Sequence, residues 1–259
     1  MQTMLMNLAE NLRTVTARVD AAAQRAGHAV RLVGVSKTKP AADIAKLATL
    51  GQRAFGENYV QEALGKQREL AAKKGTDVIS PGNDHLNEKT TQVNYLRPLL
   101  EWHMIGPLQS NKAREVAQHF DWLQTLDRIK LVSALDRLRP ENAPPLNVLI
   151  QVNIDDEASK SGCAPDEIDA LAAALATAPR LKLRGLMAIP APADLGQRAR
   201  AFAQMRELYD RLRATHPDVD TLSMGMSDDF ELAIEHGATL VRVGSALFGA
   251  RSRDLGLGI

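Results

Sequence analysis

The chain has 259 residues, 45% of them hydrophobic, which is enough apolar material for a substantial core and argues against disorder. Its 32 Lys and Arg nearly balance 31 Asp and Glu, leaving a charge of +1 that excludes a broad nucleic-acid- or membrane-binding field. A single cysteine, Cys163, excludes an intramolecular disulfide and fits a reducing compartment.

Residues 1–10 lack the basic start and apolar centre of a signal peptide. Instead Leu5, Leu8, Leu12, Val15, Val19 and Ala22 recur at three- and four-residue steps, predicting an amphipathic helix that ends near Gly27. Leu32-Val33-Gly34-Val35-Ser36-Lys37 predicts a short buried strand running into a lysine, with Val33, Val35 and Lys37 on one side. Pro40 suits the first turn of a helix over 41–50. A strand over 53–56 and a helix over 57–73 follow. The stretch 75–97 breaks this rhythm with Gly75, Pro81-Gly82-Asn83-Asp84 and many polar residues, and is expected to be an inserted loop. Strands are then expected over 101–106, 121–125, 147–153, 183–189, 221–225 and 240–244. Helices are expected over 110–119, 127–137, 165–178, 197–214 and 228–235.

Eight strands alternating with helices predict a parallel α/β sheet, and that number of repeats favours a closed barrel. The expectation is one domain over 1–259, a (β/α)8 TIM-type barrel with an extra N-terminal helix. An open doubly wound sheet is the alternative. No apolar run approaches a membrane span, so a soluble cytoplasmic protein is expected, with no nucleic-acid and no membrane partner.

The active site of such a barrel lies at the carboxyl ends of the strands, where Lys37, Asn58, His103, Asn153 and Ser227 are expected. A desolvated lysine loses its proton readily and becomes a nucleophile for aldehydes, although Lys37 read alone also fits a side chain snorkelling into water. Met226 and Ser227 join the seventh strand to a helix start, and Gly244 and Ser245 end the eighth. Two small, hydroxyl-bearing turns at that place favour a phosphate cup, with plain helix capping as the other reading. Arg242, between Val241 and Val243, points into the barrel if those valines pack under the helices. Either a ligand or an internal carboxylate would then meet it. An aldehyde-reactive lysine, a phosphate cup and an inward arginine together suggest pyridoxal 5'-phosphate.

Several motifs carry a family resemblance. They are Leu32-Val33-Gly34-Val35-Ser36-Lys37, Phe55-Gly56-Glu57-Asn58-Tyr59-Val60-Gln61-Glu62, and Trp102-His103-Met104-Ile105-Gly106-Pro107-Leu108-Gln109-Ser110-Asn111-Lys112. Ser159-Lys160-Ser161-Gly162, Met224-Gly225-Met226-Ser227-Asp228 and Val241-Arg242-Val243-Gly244-Ser245-Ala246-Leu247-Phe248-Gly249 complete the set. Together they resemble the pyridoxal phosphate homeostasis protein family, also called the proline synthetase co-transcribed homologues, over nearly the whole chain. The resemblance implies an alanine-racemase-like, fold-type III barrel with the cofactor bound covalently to Lys37 as an aldimine. It implies Arg242 facing the ring nitrogen, and Ser227, Gly244 and Ser245 at the phosphate with Met226 beside them. Asn58 lies near the ring, and His103 stands behind it or packs within its strand. The inserted loop over 75–97 departs from the family, which has a short link there.

An arginine at the ring nitrogen leaves that nitrogen unprotonated and weakens the ring as an electron sink. Racemisation by two bases needs a second acid/base on the other substrate face, and the tail beyond Arg251 is too short to build one. The expectation is a carrier or reservoir of the cofactor in vitamin B6 homeostasis, monomeric, touching cofactor-requiring enzymes transiently. A fold-type III amino-acid racemase is the alternative, and a cofactor-free barrel enzyme with a Schiff-base lysine a weaker third.

Overall fold

Eight strands close into one parallel barrel in the computed structural model, which describes residues 2–72, 100–155, 161–191 and 194–249. The long helix α1, Gln2–Ala26, comes first and stops at Gly27, whose φ of +73° ends it without side-chain strain. The first half then alternates as β1 Arg31–Val35, α2 Ala41–Thr49, β2 Ala54–Glu57, α3 Val60–Ala72, β3 Glu101–Met104, α4 Ala113–His119, β4 Trp122–Leu126 and α5 Ile129–Leu138. The second half runs β5 Leu146–Gln151, α6 Ile168–Ala176, β6 Leu181–Met187, α7 Leu195–Thr215, β7 Thr221–Ser223, α8 Phe230–Glu235, β8 Leu240–Val243 and the short α9 Ser245–Phe248. Each strand pairs with the next, and β8 returns to β1.

Alternation along the strands sorts the side chains. At the seam, Val33 pairs with Arg242 and Leu32 with Val241. Leu32, Val241 and Val243 pack outward against the helices, so Val33, Leu240 and Arg242 face inward. Two apolar clusters fill part of the interior, Val33 with Ala54 and Leu240, and Trp122 with Leu149 and Met187. Buried with them are His103, Gln124, Ser223 and Arg242, a polar set unusual for a barrel core. Helix α1 buries Leu8, Leu12, Val15 and Val19 across α8, α9 and α2, which covers the β1–β8 seam. Asn11 Nδ2 donates to the Leu247 carbonyl at 3.1 Å, and Arg18 pairs with Glu231 at 2.8 Å.

Five strands stop two residues before the expected end, at Val35, Met104, Gln151, Met187 and Ser223. There the chain leaves the ladder to form the loop above the rim. Lys37 therefore sits in a turn, and strand alternation does not set its direction. Glu57, expected to begin a helix, is instead the last residue of β2. The stretch 75–97, Ser159 and Lys160 lie outside the described residues.

Candidate functional site

β7 and β8 end near one another, and their turns meet over one serine. Ser227 does not cap α8, whose N-terminus carries no side-chain cap, and the Asp229 carboxylate takes the Met226 N–H at 2.7 Å. Ser227 Oγ instead accepts from the N–H groups of Gly244 and Ala246, each at 3.3 Å. The hydroxyl thus joins two turns that lie apart in sequence. Gly244 keeps the space beside β1 clear, since a Cβ there would come within 3.3 Å of Val35 Cβ. Gly225, with φ of +92°, folds the first turn tightly onto α8, where a Cβ would lie 2.9 Å from Phe230 Cα. Ser245 opens α9 and is exposed, as is Met226.

Arg242 lies in the barrel interior and is almost fully buried. The internal salt bridge left open by the sequence is not what holds it. Nη1 donates to Ser223 Oγ at 2.6 Å and Nη2 to the Ala188 carbonyl at 2.9 Å, both neutral acceptors. Burial lowers its pKa to about 10, partly opposed by the charge of Asp229, so the guanidinium stays protonated at neutral pH. Its Nε makes no hydrogen bond to the described residues, leaving that charged donor uncommitted.

The Lys37 turn is braced from behind by a buried ion pair that sequence analysis missed. Glu57 follows Phe55 on the outward face of β2 and meets Lys66 of α3 at 2.7 Å. Lys66 Nζ also donates to the Ser36 carbonyl at 2.7 Å and pairs with Glu62 at 2.6 Å. Ser36 Oγ donates to Glu57 at 2.5 Å, and the Thr38 N–H donates to Glu62 at 2.6 Å. Burial pushes the Glu57 carboxyl above its ordinary range, against the opposing effects of Lys66 and Ser36. Thr38 has φ of +63°, a left-handed conformation that costs a β-branched residue strain, and it adjoins Lys37. On the far side, Lys39 Nζ donates to the carbonyls of Phe248 and Gly249 at 3.4 and 3.2 Å, tying this turn to α9.

Asn58 follows β2 directly and its backbone carries Gly106, the turn residue after β3. A Cβ on Gly106 would lie 2.7 Å from Asn58 Cα and 2.8 Å from its carbonyl carbon, and would strike the carbonyl oxygen. Gly106→Ala should therefore destabilise the fold by about 1–3 kcal/mol through overpacking and weaken any ligand that relies on Asn58. Chemical denaturation beside ligand titration checks both parts. Asn153, two residues past β5, donates its N–H to the Cys163 carbonyl at 2.9 Å.

His103 is not at the rim. It is fully buried within the barrel, stacked on Trp122 with ring centroids 5.2 Å apart. Its Nε2 lies 2.6 Å from Glu101 and its Nδ1 2.9 Å from Gln124 Nε2, so it touches the mouth only through other side chains.

The turns at the barrel mouth thus include Lys37 after β1 and the Ser227 hydroxyl joined to the Gly244–Ala246 turn after β8, with Arg242 buried in the barrel and its Nε making no hydrogen bond to the described residues. Such a set suits a ligand with an electrophilic carbon, a ring acceptor and an anionic group. Among the described residues no group of three His, Cys, Asp or Glu could hold a metal ion.

Comparison with known proteins gives a consistent result. The family model for the alanine racemase N-terminal domain matches residues 10–252. The pyridoxal phosphate homeostasis protein of Pseudomonas aeruginosa is 49% identical over 251 residues, 95% of this chain and 97% of that one. The protein of the same name from Escherichia coli is 48% identical over 249 residues, with 95% and 97% covered. Among solved structures, PipY of Synechococcus elongatus with pyridoxal phosphate bound superposes with a TM-score of 0.74 at 34% identity, covering 93% of this chain and all of that one.

Proposed function

The chain belongs to the pyridoxal phosphate homeostasis protein family, and from this premise we propose that it holds pyridoxal 5'-phosphate at the carboxyl-end mouth of its barrel, as a carrier or reservoir. The observation that carries the reading is the joint of the last two turns at Ser227, opposite a buried arginine with a spare donor. The residues fit the cofactor group by group. Lys37 supplies the primary amine for its aldehyde. Arg242 Nε supplies a donor for its ring nitrogen. The hydroxyls of Ser227 and Ser245 supply donors for its phosphate. Gly244 leaves room for that group, Asn58 borders the ring, and Met226 lines the outer edge.

When bound, the cofactor supplies an aldehyde that bonds reversibly to amines and a pyridine ring that can draw electrons from an attached amino acid. Arg242 holds its own proton and so keeps the ring nitrogen unprotonated, which blunts that electron demand. This favours retention and release over catalysis, in keeping with relatives named for homeostasis rather than for a reaction. A cytoplasmic site of action fits the reading, and no described helix is long and apolar enough to cross a membrane. Tyr59, Ile129, Ile189, Leu195 and Met226 are exposed on the loops and helix starts at the same barrel end. Apolar surface there suits brief contact between a monomeric carrier and cofactor-requiring enzymes.

The phosphate cup is tested by comparing pyridoxal phosphate with pyridoxal in equilibrium titrations. The intact protein should retain the phosphorylated form far better. Ser227→Ala and Ser245→Ala should each cost about 1.5–3 kcal/mol of affinity for it, and little for pyridoxal. Equal affinity of the intact protein for the two compounds would remove the cup.

A further inference from the structure

The polar residues buried in the barrel form one continuous line. Arg242 Nη1 meets Ser223 Oγ at 2.6 Å, and Ser223 Oγ meets Gln124 Oε1 at 2.7 Å. Gln124 Nε2 meets His103 Nδ1 at 2.9 Å, and His103 Nε2 meets Glu101 at 2.6 Å. Glu101 then pairs with Arg31, at the amino-terminal mouth of the barrel. The line runs through the core from the cofactor end to the opposite end. Three strands besides β8 and β1, namely β3, β4 and β7, contribute to it, so no single stretch of sequence contains it.

The donor and acceptor atoms of these bonds run its protons in one direction. A guanidinium can only donate, so Ser223 Oγ accepts from Arg242 and must place its own proton elsewhere. The acceptor in reach is Gln124 Oε1, which orients that amide and sends its NH2 toward His103. An amide nitrogen also only donates, so His103 Nδ1 must be bare. The imidazole proton then sits on Nε2 and is given to Glu101. Burial lowers the His103 pKa, and the neutral ring is what this arrangement requires. The Glu101 carboxyl, although burial pushes it up, is brought down by the His103 hydrogen bond and by the charge and hydrogen bond of Arg31, so it remains an acceptor. Every donor along the line therefore points away from Arg242 and toward Glu101.

We propose that Ser223, Gln124, His103 and Glu101 are positioning residues, a single-polarity hydrogen-bond relay that fixes the plane of the Arg242 guanidinium and aims its Nε at the cofactor ring. The part of this that concerns the ring rests on the function proposed above. With Nη1 held by Ser223 and Nη2 by Ala188, the guanidinium cannot rotate without breaking two buried bonds. Turning Gln124 over would present two amide protons to Ser223 and the amide oxygen to a bare nitrogen, so the far end resists reorientation as well.

Two measurements on Gln124→Leu, which keeps the bulk and removes both bonds, test the relay. Nitrogen-15 NMR of the histidines in the cofactor-free protein should show His103 as the neutral Nε2–H tautomer, and the variant should lose that single state. In the loaded protein, the variant should bind pyridoxal phosphate roughly ten-fold more weakly, about one hydrogen bond to a charged group. The nitrogen-15 resonance of labelled cofactor should also move from its unprotonated position. If Gln124→Leu does not fold, Ser223→Ala removes one oxygen and serves for both measurements. An Nδ1–H tautomer or imidazolium in the intact protein would overturn the relay. So would a folded variant whose cofactor affinity and ring resonance match the parent. Failure of the intact protein to bind the cofactor would instead overturn the proposed function, while the tautomer measurement would still judge the relay.

Discussion

Lys37→Ala is expected to abolish the pyridoxyl adduct trapped by borohydride, a complete loss, while unfolding free energy changes by no more than about 0.5 kcal/mol. Lys37 stands in the turn after β1, beside the strained Thr38, and β1 pairs with β8, which leads into the Gly244 turn. Other lysines near the mouth are poorer candidates. Lys66 Nζ is buried and tied to three acceptors at 2.6–2.7 Å. Lys39 Nζ is turned toward the end of α9. Phosphate and ring contacts should leave weak, non-covalent cofactor binding in the variant. Mass spectrometry of the reduced protein decides the matter, and an adduct persisting on Lys39, Lys66 or Lys160 would show that the amine was wrongly chosen.

The largest effect on stability is expected from Lys66→Met, which keeps the stem and removes the charge. Glu57 would be left buried without its counter-ion, and breaking one side of a buried pair costs about 3–5 kcal/mol. One oxygen of Glu57 already lacks a partner among the described residues, and the other would keep only the neutral Ser36 hydroxyl. The loss should depend on pH in a definite sense. The folded-state pKa of Glu57 lies above its ordinary value of 4.5, so the folded protein keeps a proton that the unfolded chain releases. Stability of the variant should therefore be best below pH 4.5 with respect to this group, and decline as pH rises through the folded pKa. Denaturant titrations at several pH values read the sign directly. Because Lys66 also holds the Ser36 carbonyl and Glu62, slower formation of the Lys37 adduct should accompany the loss.

Periodicity in the sequence carries the architecture well and the interior contacts poorly. Val241 and Val243 flanking Arg242 suffice to turn that side chain inward, because alternation on a strand is geometric. The same rule does not reach Lys37, whose strand ends at Val35, and the strand-end position that put His103 at the rim did not show that it lies in the core. Alternation tells which side a residue faces, but not which residue on another strand it meets. Gln124 and Ser223 are 99 positions apart and read singly as ordinary polar strand residues. Glu57 reads as an acidic helix start for the same reason. The i,i+4 spacing of Glu62 and Lys66 was the one available sign that α3 directs a cation toward β2.

The covering of the β1–β8 seam by α1 has a consequence for the order of events on the ribosome. Asn11 meets the Leu247 carbonyl 236 positions away, and Arg18 meets Glu231 across 213. Contacts of that separation are the most costly in contact order and cannot form until the last strand has left the exit tunnel. The lysine turn is made early, but Gly244 and Ser245 are among the last described residues synthesised. A nascent chain thus carries the amine long before it has the cup. On the proposed site, cofactor capture is deferred to the completed protein, and a chain stalled before β8 carries the Lys37 turn without the turn that completes the cup.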